Sequence, residues 1–187
     1  MSEEKQTRRR TVLRTIGTGI IGSIALAGTG AAGPGNLQWE LAEVRSATAE
    51  YNDPANALAD GYLATDHPVC GMGYHYLNPG LLGTTERTAA QVLAYGEDDE
   101  GELVLGAVEF LVPKAGPYSE EPPSYFDYDD GREEWGILEA PSKVPFDYLW
   151  ALHAWVHTNN PEGVFHHTNP REQFSGEEFC HEGGGGH

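Results

Sequence analysis

Positive charge is scarce in this chain. Its 187 residues include 11 lysines and arginines against 29 aspartates and glutamates. Binding a phosphate backbone takes clustered cations, so the shortage argues against a nucleic-acid partner. Cysteine is nearly missing too, with only Cys70 and Cys180. Beyond residue 32 no hydrophobic run approaches the ~20 residues that span a bilayer. Several catalytic signatures are also lacking. There is no G-x-S-x-G elbow, no phosphate loop, no H-E-x-x-H pair and no D-x-D-x-D-G calcium loop.

The N-terminus has a recognisable plan. Arg8-Arg9-Arg10-Thr11-Val12-Leu13-Arg14 is followed by an apolar, glycine-broken stretch from Ile16 to Ala32 that ends in small residues. A basic start, a weakly apolar middle and a small-residue end describe a secretory signal, and the arginine pair is the twin-arginine address. Residues 1–32 are therefore expected to be a signal peptide on a secreted or cell-surface protein. A membrane anchor fits less well, because glycine and threonine interrupt the run. The segment holds five basic residues against two acidic ones, so the remaining 155 residues carry −21 of the chain's −18. Such a surface repels itself at low salt, and brine screens it, with a Debye length of about 3 Å at 1 M. The acidity reads as adaptation to high salt. In the oxidising surroundings of an exported chain, a Cys70–Cys180 disulfide is expected; two thiols or metal ligands are the alternatives.

Residues 37–180 read as one α+β domain, followed by a flexible Gly/His tail at 181–187. Leu37, Leu41, Val44 and Thr48 recur at helical spacing, predicting a helix from Gln38 to Tyr51. Asp53-Pro54 caps a second short helix over Ala55–Asp60, and Gly61 stops it. Strands are predicted over Met72–Leu77, Ala90–Tyr95, Glu102–Val112 and Phe146–His157, with a short edge strand over Val164–His167. The proline-rich stretch Pro113–Pro145 reads as a long ordered loop or lid.

Three residues interrupt apolar segments. His75 lies among aromatics. Glu109 is expected to share a face with Leu103, Leu105, Ala107 and Leu111 by strand alternation. His153 should share a face with Trp155 and His157. A carboxylate inside an apolar strand is costly unless a partner or a cation meets it. Two imidazoles and a carboxylate are ligands used for zinc and non-haem iron. His75, Glu109 and His153 are thus candidate metal ligands, with His157 as a fourth ligand or a supporting group, for a divalent zinc, iron or copper ion. The alternatives are a buried Glu–His hydrogen-bonded pair, or a Glu109 that faces solvent. His166 and His167, adjacent and expected to point opposite ways, read as surface histidines.

The segments Cys70-Gly71-Met72-Gly73-Tyr74-His75-Tyr76, Val108-Glu109-Phe110, Leu152-His153-Ala154-Trp155 and Asn160-Pro161-Glu162-Gly163-Val164-Phe165 resemble a family of uncharacterised exported bacterial and haloarchaeal proteins with MGxHY, VEY, LHxW and NPxGxF motifs. Here Phe110 replaces the tyrosine of VEY. The resemblance spans about Ala47 to Cys180. It implies a shared fold, draws attention to His75, Glu109 and His153, and implies no activity. The expected architecture is N-terminal helices packed on a curved antiparallel sheet of four or five strands, cystatin-like or a small barrel. The expected role is binding a metal ion or small molecule. A metal-dependent hydrolase or oxygenase on the same cluster, or a structural cell-surface module, are the rivals.

Overall fold

Alternating apolar residues pair into one six-stranded antiparallel sheet in a computed structural model that describes residues 36–126, 133–140, 144–176 and Cys180. The expected signal at 1–32, the acidic cluster Asp127–Asp130 and the expected tail at 181–187 lie outside the described residues. The strands are β1 (Leu63–Ala64), β2 (Tyr74–Leu77), β3 (Val92–Glu97), β4 (Leu103–Pro113), β5 (Gly136–Glu139) and β6 (Tyr148–Ala154). Their spatial order is β1-β2-β3-β4-β6-β5. The sheet is open, with β1 and β5 at its edges, so the closed-barrel expectation does not hold. Two of the six strands, β1 and β5, were not expected. The dipeptide β1 is too short to leave a periodic signal, and β5 lies inside the stretch read as a loop, where it pairs with the outer edge of β6. Val164–His167 forms no strand; its one ladder-like bond is from the Trp155 N–H to the Val164 carbonyl, at 2.9 Å.

The N-terminal helices cover one sheet face. Helix α1 spans Asn36–Ala47, shorter than expected, and a separate 3-10 turn over Ala49–Asn52 follows it. The break comes at Thr48, whose hydroxyl bonds back to the Val44 carbonyl at 2.8 Å and competes with helix continuation. Asp53 then accepts from the Ala55 N–H at 3.0 Å and Pro54 opens helix α2 (Pro54–Ala59). Leu41 and Val44, one turn apart, are buried together with Leu93, Tyr95, Val108, Phe110 and Leu152, which form the helix-side core. The opposite face carries two smaller apolar groups. One is Ala94, Ala107, Trp155 and Phe174; the other is Val92, Leu111 and Ala151.

A bulge sets which residues share that second face. Ala94 pairs with Ala107, but Tyr95 pairs with Leu105, so Gly106 is an extra residue in β4. The slip sends Leu105 into the helix-side core, with Leu103 packed against it. Glu109 keeps Ala107 and Leu111 as face neighbours and loses the two leucines that strict alternation had assigned to it. The bulged Gly106 carbonyl accepts from the N–H groups of His157 and Thr158, both at 3.0 Å, which draws the chain out of β6 after Ala154.

Cys70 and Cys180 form a disulfide, with their Cα atoms 4.9 Å apart. Such bonds persist in oxidising, extracellular-type surroundings. Among the described residues no helix is long and apolar enough to cross a membrane.

Candidate metal centre

Three strands converge their polar residues on the face away from α1. Glu109 of β4 pairs directly with His153 of β6. His75 of β2 must reach across β3 to join them. The intervening β3 residues are Ala94, its own register partner, and Val92, the partner of Glu109. Neither is bulky, and adjacent strands are only about 4.8 Å apart, so the imidazole can bridge the gap. His75 Nε2 lies 3.9 Å from Glu109 Oε2, and His153 Nδ1 lies 3.9 Å from Glu109 Oε1. The two imidazole rings meet edge to face at 5.8 Å. One ligand atom from each residue lies within 4.8 Å of the other two, a group that can hold a metal ion.

Ligands at about 2.1 Å from a metal stand roughly 3.4 Å apart in a tetrahedron and about 4.2 Å apart when trans. The 3.9 Å spacings fall in that interval. At 3.9 Å the contacts are too long for hydrogen bonds. At these positions neither His75 nor His153 makes a direct hydrogen bond to Glu109. Glu109 is 6% exposed and His153 2%, so the solvent-facing alternative is excluded.

Burial sets the protonation of the group. Desolvation pushes the Glu109 carboxyl up to about 8 and holds His75 down at about 4. Both groups therefore favour their neutral forms, and a cation among them would reverse the balance for the carboxylate.

The fourth expected residue is elsewhere. His157 lies beyond the end of β6, on the α1 side, with its Nε2 2.8 Å from the Thr48 hydroxyl. That hydroxyl gives its proton to Val44, so the imidazole donates. His157 is thus an anchor between the end of α1 and the turn after β6, where its own N–H also bonds to the Gly106 carbonyl. Desolvation first, and the neighbouring Arg45 second, hold its pKa down at about 4.

His167, expected to be a surface histidine, is half-buried. It lines the same cavity as His75, Glu109 and His153, and its ring meets that of His153 at 6.1 Å, edge on. Its place exists because β5 starts with glycine: a Cβ on Gly136 would come within 2.9 Å of the His167 ring. The Trp155 ring lies nearly parallel to that of His153, with ring centroids 6.2 Å apart. No local sequence signal marks His167, since the loop that carries it is positioned by contacts distant in the chain. One of these is the Asn169 N–H bond to the Gly71 carbonyl, at 2.8 Å.

No protein-family model matches the chain, and no curated protein or solved structure matches it.

Proposed function

We propose that the protein is an exported, salt-adapted metalloprotein that holds a divalent transition ion on His75, Glu109 and His153. One observation carries this reading: two imidazoles and a carboxylate from three strands meet within 4.8 Å on an otherwise apolar sheet face. Neutral imidazoles and an ionised carboxylate are the ligating forms, and the set suits zinc, iron or copper. The twin-arginine pattern at Arg8-Arg9 and the Cys70–Cys180 disulfide support export. The acidic composition supports a saline setting. The resemblance to exported proteins with MGxHY, VEY and LHxW motifs points to the same three residues.

Elemental analysis tests the reading. The untagged protein, purified at high salt, is expected to carry one equivalent of a transition metal, lost in the His75→Ala/His153→Ala double variant. A wild type that is metal-free, takes up no added zinc, iron or copper, and stays folded through chelation would refute it.

The apolar cavity beside the ligands favours a second reading, a metal-dependent hydrolase or oxygenase. Three protein ligands leave a coordination position for water or substrate.

A further inference from the structure

The cavity over the three ligands has a volume of about 340 Å³. Its walls include Met72, Leu77, Val92, Leu111, Leu138 and Ala151, while His75, Glu109, His153 and His167 supply nearly all of its polar groups. The remaining polar side chain, Thr65, already accepts a bond from the His75 N–H at 3.1 Å. No lysine or arginine lines it. Thr65 and Val69 are the exposed lining residues and mark the mouth.

These features restrict the occupant. A dry apolar cavity of roughly 150 Å³ accepts benzene, so this one has room for a body of about two fused rings. A sugar or a peptide backbone would leave most of its polar groups unmatched against these walls. A phosphate or a polycarboxylate would find no basic side chain to neutralise it. A single anionic oxygen donor is different, because the metal itself can take it at the coordination position the protein leaves open. Met72 adds a flexible, polarisable wall that adapts to the shape of a ring system.

We infer that the site binds a compact, largely apolar organic acid, with its carboxylate on the metal and its hydrocarbon body in the cavity. The inference rests on the metal reading above. The apolar bulk gives affinity, and the metal gives orientation.

The test uses the full chain with its disulfide intact, loaded with Co²⁺, whose visible spectrum reports on its ligands. 2-Naphthoate is titrated, with acetate and citrate as comparisons. The expected result is saturable 2-naphthoate binding that shifts the cobalt bands, at least tenfold tighter than acetate or citrate. Leu138→Trp, on the partly exposed edge strand β5, fills the cavity and is expected to retain Co²⁺ while weakening 2-naphthoate at least tenfold. Ala151→Leu is the second filling variant and should act in the same direction. Cobalt bound with 2-naphthoate no tighter than acetate would overturn this inference and leave the metal site standing. So would naphthoate binding that neither filling variant changes. Failure of the wild type to bind Co²⁺ at all would overturn both.

Discussion

Glu109 stands where a carboxylate costs most, in a central strand with apolar neighbours on its face. Its folded-state pKa is raised from 4.5 to about 8. The contribution to stability is therefore full below 4.5 and is lost as the pH rises through 8. In the metal-free protein, Glu109→Leu removes that loss and is expected to stabilise by about 1–4 kcal/mol at pH 9, read by urea denaturation. The same variant should lose any rise in melting temperature that added Zn²⁺ gives the wild type. His157 works in the other direction. Its pKa falls from 6.5 to about 4 on folding, so its contribution is present above 6.5 and is lost as the pH drops towards 4. A urea-midpoint profile across that window should fall for the wild type and fall less for His157→Gln. Equal slopes would show that the imidazole facing Thr48 and Arg45 is not held neutral.

Among the elements, β4 has the largest influence on the site, through a single glycine. A Cβ on Gly106 would lie 2.3 Å from Phe174 Cζ and 3.3 Å from Trp155. Phe174 is fully buried and has little room to yield. Gly106→Ala is expected to cost about 1–3 kcal/mol of stability in urea denaturation, with the loss concentrated where β6 ends. A neutral substitution would show that the bulge can close and the register reset. This glycine also marks the limit of what the chain alone discloses. His75, Glu109 and His153 were legible because each interrupts an apolar run, and a buried polar residue needs a reason. The neighbours of Glu109 were not, because period-2 counting passes through an invisible extra residue. His157 was misplaced because β6 ends at Ala154, before the alternation reaches it. β5 was hidden because Gly136–Glu139 is short and pairs with a strand that follows it in sequence. His167 was hidden because its loop is fixed by Gly71 and Gly136, far away along the chain.

For the molecule as a whole, charge and the disulfide set the conditions of stability. Raising NaCl from 0.1 to 1 M shortens the Debye length from about 10 to about 3 Å. With −21 on residues 33–187, the melting temperature is expected to climb by at least about 5 °C over that range, read by calorimetry. A flat response would remove self-repulsion as the meaning of the composition. The Cys70–Cys180 bond spans a sequence separation of 110, worth about 4–5 kcal/mol in the loop-entropy model. It also fastens the C-terminal segment beside the 69–73 turn, whose Val69 and Met72 line the cavity. The Cys70→Ser/Cys180→Ser variant should therefore melt well below the wild type. Whether a metal sits on two imidazoles and a carboxylate is read from X-ray absorption at the zinc edge of the zinc-loaded protein. Two nitrogen ligands with imidazole multiple scattering and at least one oxygen are expected, all near 2.0–2.1 Å. A shell of oxygen alone, or one unchanged in His75→Ala/His153→Ala, would contradict it.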